Sequence, residues 1–299
     1  MQDDDGSPGF PTSLTPLPGG ASGETFLAGS GGEHTVLRLY GARSAARGPL
    51  APEIDAAVLE LVRGVLPVPT VLEVRRGDPA HDLPGLLVTS HLPGEQLSEV
   101  VPDLDGAALR RVGEQLGVIA GRLGLAVQPR AGRFTDRRLA AEEPLPGLDR
   151  LLEAAAPALP DGLAEALAPV VDDAEDLLAG ETRRVLVHGD LNPHNVLLER
   201  STLEVTGLVD WEFAHAGGPW EDLGNLLRHA TEPVLREAVL AAYASIVPGV
   251  PDDVVARAEA ADLAALIDLA GRADGTGACL RATALLARAA GWTLGPGGA

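Results

Sequence analysis

Short apolar runs alternate with glycine-rich turns in the first third of the chain, and this pattern predicts β-strands. Apolar residues cluster at 25–28 and 35–40 with a glycine-rich turn between them, which is typical of a hairpin. Two further strands are predicted at 71–74 and 86–89. Between the two pairs, residues 52–63 carry apolar side chains at helical spacing. The predicted order is therefore strand, strand, helix, strand, strand.

Helical spacing dominates the rest of the chain. One strand-like island, residues 184–211, interrupts the helical pattern. The helical stretches are predicted at 109–125, 148–178, 222–229, 232–243, 252–269 and 280–290. We therefore expect an α+β protein with a small β-rich N-lobe and a larger, mostly helical C-lobe.

The domain organisation follows from these shifts in composition. Residues 1–18 are rich in Pro, Gly, Ser and Asp and are predicted to form a mobile N-terminal arm. The N-lobe is expected at 19–90, a hinge at 91–94 and the C-lobe at 95–299. A chain of 299 residues is long enough for two closely packed lobes.

The charge balance narrows the classes of partner. The chain has 23 basic residues, all of them arginine, against 43 acidic residues, which gives a net charge of −20. A field of this sign repels nucleic acid and anionic membrane surfaces, so neither is an expected partner. A cationic substrate and an acidic surface kept for solubility both fit the charge.

Cysteine usage and the N-terminus bear on the compartment. The single cysteine, Cys279, cannot form an internal disulfide and lacks the neighbours of a zinc site. The N-terminus carries Asp3, Asp4 and Asp5 where a signal peptide needs positive charge. We expect a soluble, cytoplasmic protein, either a monomer or a homodimer.

The candidate chemistry lies in the strand-like island. An apolar strand leads into His188-Gly189-Asp190, Asn195 follows Asp190 by five residues, and a second apolar strand leads to Asp210. A carboxylate can accept the proton of a hydroxyl group, and amide and carboxylate oxygens are ligands for Mg²⁺. The loop therefore has the parts that phosphoryl transfer requires.

His188-Gly189-Asp190, Asn195 and the downstream Asp210-Trp211-Glu212 resemble the motifs of the aminoglycoside phosphotransferase and choline kinase superfamily. The resemblance implies a protein-kinase-like, two-lobed fold with a catalytic loop at 188–195 and a metal segment at 210–212. It implies that Asp190 is the catalytic base and that Asn195 and Asp210 bind Mg²⁺. The residues that would shape or brace the loop are His188, Gly189 and Asp222.

The same resemblance assigns a nucleotide site in the N-lobe. Arg38 takes the position of the strand lysine that contacts phosphates, and its helix partner falls on Asp55, with Glu53 as the second option. Backbone groups of the hinge would bind the base. The remaining nucleotide-binding candidates are Gly20, Ser22 and Gly23 in a glycine-rich segment and Ser90, His91 and Leu92 in the hinge. His194 is expected to be an exposed loop residue without a catalytic role.

The implied function is transfer of a phosphoryl group from ATP or GTP to a hydroxyl group of a small molecule, with an antibiotic as the leading acceptor. A metabolite kinase acting on an amino alcohol or a sugar is the first alternative, and a non-catalytic nucleotide-binding protein is the second. A protein kinase is disfavoured because Gly189 replaces the arginine of His-Arg-Asp. Four acidic residues could meet an amine-rich substrate or line solvated helix faces: Glu221, Asp262, Asp268 and Asp274.

Overall fold

A computed structural model describes residues 13–17, 24–30, 32–41, 44, 47–81 and 83–293. The strands are β1 (Ser13–Pro16), β2 (Glu24–Ser30), β3 (Glu33–Tyr40), β4 (Val71–Arg75), β5 (Gly85–Ser90), β6 (Glu95–Gln96), β7 (Gly132–Phe134), β8 (Ala141–Glu143), β9 (Val185–Val187), β10 (Val196–Glu199), β11 (Glu204–Leu208) and β12 (His215–Gly217). The α-helices are α1 (Ala51–Val62), α2 (Leu97–Val100), α3 (Gly106–Leu123), α4 (Leu148–Ala155), α5 (Leu163–Leu178), α6 (Glu221–His229), α7 (Pro233–Ile246), α8 (Val254–Gly271) and α9 (Gly277–Ala289).

The chain forms two compact units. The first contains the described residues up to Val100 together with Phe134–Ala140 and His194–Phe213. Its main sheet is antiparallel with the order β1-β2-β3-β5-β4, and a smaller sheet has the order β11-β10-β6. Arg38 lies on the central strand β3, opposite Thr25 in β2 and Leu87 in β5.

Helix α1 packs against β4 and β5 of the first unit. Pro52 occupies its first turn, where a missing N–H costs nothing. Ile54, Val58 and Val62 repeat every four residues and are buried, so they form the apolar stripe that faces the sheet. The helix predicted at 52–63 and the hairpin of β2 and β3 are confirmed.

Within the N-terminal arm predicted at 1–18, the described residues 13–16 form strand β1, which corrects the expectation of a mobile segment for these four residues. Ser13–Pro16 pairs with β2 in antiparallel register, so that Ser13 lies opposite Gly29. All four residues of the strand are exposed, so β1 is held at the sheet edge mainly by backbone hydrogen bonds. Neither its composition nor its apolar pattern marks it as a strand.

The second unit contains 101–133, 141–193 and 214–299 among the described residues, and it is mostly helical. Helix α6 packs closely on α8 at Gly224, where an added Cβ would lie 2.0 Å from the carbonyl oxygen of Ala258. In a small sheet, β12 pairs with both β9 and β7. The prediction of a β-sheet region followed by a helical region in a kinase-like fold is confirmed.

The helical stretch predicted at 148–178 is two helices. Helix α4 ends at Ala155, a 3₁₀ turn covers Ala156–Ala158, and α5 begins at Leu163. Leu159 is extended, with φ −79° and ψ 156°, because the following Pro160 disfavours the helical conformation at the residue before it. Among the described residues, no helix is long and apolar enough to cross a membrane.

Candidate active site

A buried strand delivers the predicted catalytic loop in the second unit. Val185–Val187 is fully buried, and the chain leaves β9 directly into His188 and Gly189. Gly189 has a φ of 81°, a left-handed conformation that a residue without Cβ adopts at little cost. The turn at Gly189 therefore sets the direction in which the backbone enters Asp190.

Asp222, in the first turn of α6, binds the backbone of the turn at His188 and Gly189. Its carboxylate accepts hydrogen bonds from the N–H of His188 (2.8 Å) and from the N–H of Gly189 (3.1 Å). Burial raises the pKa of Asp222, while His188 and the two N–H donors oppose that rise. Since both donors are backbone groups, Asp222 fixes the path of the loop and not merely one side chain.

The Asp190 carboxylate is oriented from within the loop. Asn192 Nδ2 donates to Asp190 Oδ1 at 2.7 Å, and the N–H of Asn192 donates to the carbonyl oxygen of Asp190 at 2.9 Å. The N–H of Asp190 in turn donates to His188 Nδ1 at 3.2 Å. These bonds present a carboxylate of defined orientation, which is the geometry that a general base requires.

A second buried network reaches the loop one residue later. With its amide oriented to satisfy both neighbours, Asn225 donates to the carbonyl oxygen of Leu191 (2.9 Å) and accepts from Arg228 Nη2 (3.0 Å). Arg228 Nη1 also donates to both carboxylate oxygens of Asp262, at 2.8 and 3.0 Å. Burial raises the pKa of Asp262 to about 6, although Arg228 opposes the rise. This network links α8, through α6, to the loop.

Two of the acidic residues considered for an amine-rich substrate are thus engaged inside the second unit. Asp262 is buried against Arg228. Glu221 contacts His215 Nε2 at 2.9 Å and accepts from the N–H of Gly218. The solvated helix face that was the alternative for Asp262 is also wrong, because its side chain is 6% exposed.

The predicted metal ligands Asn195 and Asp210 lie in the first unit. The N–H of Val209 donates to the carbonyl oxygen of Asn195 at 3.0 Å, which ties the end of β11 to the loop residue. Asp210 has a φ of 64°, a left-handed conformation that Asp tolerates better than most residues. An amide oxygen and a carboxylate are hard ligands of the kind that Mg²⁺ shares with nucleotide phosphates, so the two residues fit this metal.

Arg38 extends from β3 to the same turn. Its Nη1 donates to Asp210 Oδ1 at 2.7 Å, and its Nη2 forms an ion pair with Glu212. The guanidinium carbon lies 5.6 Å from the centroid of the Tyr40 ring. Burial opposes the charge of Arg38, but Asp210, Tyr40 and Glu212 outweigh it, so the pKa of the guanidinium is raised above its ordinary value.

The expected partnership of Arg38 with an acid of α1 is wrong. Asp55 forms its ion pair with Arg47 and also accepts from the hydroxyl of Tyr40 at 2.7 Å. The second option, Glu53, pairs with an exposed arginine at the surface. Spacing along the chain places both acids on α1 but cannot tell which arginine the fold brings to each of them.

Of the hinge candidates, Ser90 is the last residue of β5, and His91 and Leu92 follow it. Ser90 exchanges bonds with Thr70: its N–H donates to the carbonyl oxygen of Thr70, and its hydroxyl accepts from the Thr70 N–H, both at 2.9 Å. His91 is exposed and Leu92 is partly buried. His194 is exposed, as predicted. The glycine-rich candidates lie outside the described residues: Gly20, Ser22 and Gly23.

Comparison with known proteins identifies the family of the chain. A family model described as the phosphotransferase enzyme family (APH) matches residues 13–261 of the chain. The chain belongs to this family. The resemblance identified from the motifs is therefore confirmed, and so is the prediction of a small-molecule O-phosphotransferase.

Curated relatives of this APH family member come from two streptomycetes. The aminoglycoside 3'-phosphotransferase of Streptomyces fradiae is 34% identical over 208 residues, which cover 64% of this chain and 70% of the relative. The enzyme of the same name from Streptomyces ribosidificus is 34% identical over 173 residues, which cover 54% of this chain and 62% of that enzyme.

Solved structures share the fold at lower identity. A thermostable variant of aminoglycoside phosphotransferase APH(4)-Ia, in a ternary complex with ADP and hygromycin B, has a TM-score of 0.68 and 18% identity, with 95% of both chains covered. A variant of aminoglycoside 2'-phosphotransferase IIIa bound to GDP has a TM-score of 0.67 and 19% identity, with 93% of this chain and 91% of the other covered.

Several side chains that organise the loop around Asp190 or the ion pairs of Arg38 were not singled out from the sequence. Glu212 stood inside a quoted motif without a role, and Asn192 lay within the loop without one. The partners Asn225 and Arg228 sit on a helix at the spacing of one turn, which would have placed them on one face of α6. Tyr40 gave no signal beyond the apolar pattern of β3.

Proposed function

We propose that this chain transfers the γ-phosphoryl group of ATP or GTP to a hydroxyl group of an aminoglycoside antibiotic. Asp190 accepts the hydroxyl proton, the acceptor oxygen forms the new bond to the γ-phosphorus, and the bond from that phosphorus to the bridging oxygen breaks to release the nucleoside diphosphate. The observation that carries the proposal is the Asp190 carboxylate, which Asn192 and the Asp222-braced loop hold in one orientation.

Asn195 and Asp210 would hold Mg²⁺, which neutralises charge on the phosphates when it is bound. Arg38 contributes a buried, permanently charged guanidinium on the central strand, and its planar fork suits phosphate oxygens. These residues orient the donor, while the loop around Asp190 orients the acceptor. Positioning of this kind accounts for much of the rate enhancement in phosphoryl transfer.

Two observations favour an aminoglycoside as the acceptor. The curated relatives from Streptomyces carry the name aminoglycoside 3'-phosphotransferase, and the first shares 34% identity over most of its length. The net charge of −20 also favours a polycationic amino sugar over an anionic or neutral acceptor. The proposed role is antibiotic resistance or self-protection.

The test is a transfer assay with the purified protein, MgATP or MgGTP, and a panel of aminoglycosides, amino alcohols and neutral sugars, with products identified by mass spectrometry. Asp190→Asn is expected to lower kcat by about 10²- to 10⁴-fold, because it removes the base but keeps the shape of the side chain. If the protein transfers phosphate only to an amino alcohol, the acceptor is a metabolite and not an antibiotic. Undiminished turnover by Asp190→Asn would refute the mechanism.

A further inference from the structure

The acid that the family resemblance assigned to Arg38 is already fully engaged. Asp55 is 4% exposed, and Arg47 contacts both of its carboxylate oxygens. The Tyr40 hydroxyl donates to one of the same oxygens at 2.7 Å. A buried carboxylate with these partners gains little by releasing them for a second arginine, since each broken bond leaves a desolvated group behind.

Arg38 instead bridges the two carboxylates of the turn that follows β11. Asp210 is the more accessible of the pair, with its side chain 24% exposed, whereas Glu212 is 2% exposed. The Glu212 side chain is therefore almost completely removed from water, and its ion-pair partner is Arg38. A carboxylate in such a position depends on a cation next to it.

The two carboxylates are therefore expected to differ in their partners when a nucleotide binds. Under the proposed function, Asp210 would hold Mg²⁺ and would no longer be a dedicated partner of Arg38. Arg38 is only 14% exposed, so it still requires a carboxylate to compensate for its burial. Glu212 is the acid that remains beside it, because Asp55 is held by Arg47.

We propose that Glu212 is the positioning residue of Arg38: it holds the guanidinium in place for the nucleotide phosphates, the task that protein kinases give to a glutamate on the N-lobe helix. The inference rests on the proposed function. It separates two jobs that the family pattern combines, since Asp55 joins α1 to β3 through Tyr40 and Arg47, and Glu212 orients the phosphate-binding arginine.

Pairing of Arg38 with Glu212 also has a structural advantage over pairing with an acid on helix α1. Glu212 lies in the short 3₁₀ helix Trp211–Phe213, two residues after the metal ligand Asp210. One rigid turn therefore carries the metal ligand and the partner of the phosphate-binding group. A guanidinium fixed beforehand loses less conformational entropy when it binds phosphate than a mobile one.

The test measures MgATP affinity of the full chain by calorimetry, independently of turnover. Glu212→Gln removes the charge but not the shape, and it is expected to weaken MgATP binding by about tenfold to a hundredfold. Glu212→Asp is expected to recover part of the loss. Asp55→Asn is expected to have a smaller effect on affinity than Glu212→Gln, even though it lowers the melting temperature. Glu95→Gln, which breaks the exposed pair with Arg200 in the same unit, is the matched control.

A double variant decides whether Glu212 acts through Arg38. If it does, Arg38→Gln combined with Glu212→Gln binds MgATP no more weakly than Arg38→Gln alone. Additive losses would overturn the inference, and so would an Asp55→Asn variant that loses more affinity than Glu212→Gln. A wild-type protein that binds neither MgATP nor MgGTP would instead refute the proposed function, so the two failures are distinguishable.

Discussion

The loop around Asp190 in the second unit is organised differently from the arginine cluster of the first unit, which consists of Arg38, Asp210 and Glu212. The loop is held through its own backbone. The Asp222 carboxylate accepts from two consecutive N–H groups, and the Asn225 amide donates to the carbonyl oxygen of Leu191. The cluster is held by side chains from distant segments, since Arg38 and Glu212 are 174 positions apart in the chain.

This difference explains why a sequence motif predicts the loop, whereas no motif predicts the ion-pair partners of Arg38. A loop built from local backbone bonds needs its residue types at set spacings, so a motif such as His188-Gly189-Asp190 carries the geometry with it. An ion pair between long side chains needs only opposite charges within reach in space. From the sequence, several acidic residues could lie within reach of Arg38, and tertiary packing decides which of them pair with it.

The largest expected effect comes from removing the brace of the loop. Asp222→Ala leaves the buried N–H of His188 and the partly buried N–H of Gly189 without their acceptor, and the buried donor alone costs about 1–3 kcal/mol. The loop is then expected to shift, and a displacement of about 1 Å lowers kcat by roughly 100-fold. Steady-state kinetics with a thermal-unfolding control measures both consequences.

Glu221→Gln is the matched control for this prediction. Glu221 precedes Asp222 on the same helix, but its carboxylate contacts His215 and the Gly218 N–H, not the loop. Its kcat is expected to stay within a few-fold of the wild type. A folded Asp222→Ala variant with unchanged kcat would contradict the view that the loop is positioned by its backbone.

The same physics accounts for what the sequence could predict of the fold. Long elements such as α1, α3 and the hairpin of β2 and β3 bury a periodic apolar face, and the pattern located each of them to within a few residues. Strands of two or three residues, such as β6 and β12, are too short to have a period, and they form because neighbouring strands present a hydrogen-bonding edge.

Within the candidate site, the sequence alone predicted roles for residues whose spacing is local, such as Asp190 and Asn195, and these roles stay predictions. It failed where the environment decides the role, because burial is a property of the assembled unit. Asp262 looks like a solvated helix residue in the sequence, yet packing of α6 on α8 at Gly224 places it inside with Arg228.

Burial of Asp262 makes a pH-dependent contribution to stability, the next largest effect. Its pKa is about 6 in the folded chain against an ordinary value of 3.8. The stability gained from holding this proton is fully present below about pH 4 and is lost as the pH rises through about 6. The loss amounts to about 3 kcal/mol, since each pKa unit corresponds to about 1.4 kcal/mol.

Asp262→Asn is expected to remove this dependence, so that its unfolding free energy rises relative to the wild type between pH 4 and pH 7. Urea unfolding across that range measures the difference. Asp268→Asn, on the same helix, changes an exposed carboxylate that pairs with Arg272 and is the control. Parallel curves for the wild type and Asp262→Asn would mean that this burial has no energetic consequence.

The smallest expected effect belongs to Glu53, and it bears on the arginine cluster directly. Glu53 and Asp55 are two residues apart on α1, and spacing offered both as partners of Arg38. Glu53 pairs with Arg76, whose side chain is 58% exposed, so Glu53→Gln is expected to change the unfolding free energy by less than about 1 kcal/mol. Asp55→Asn, which disrupts a buried pair, is expected to cost about 3 kcal/mol. Chemical denaturation distinguishes the two, and equal losses would mean that burial does not decide which acid of α1 supports the first unit.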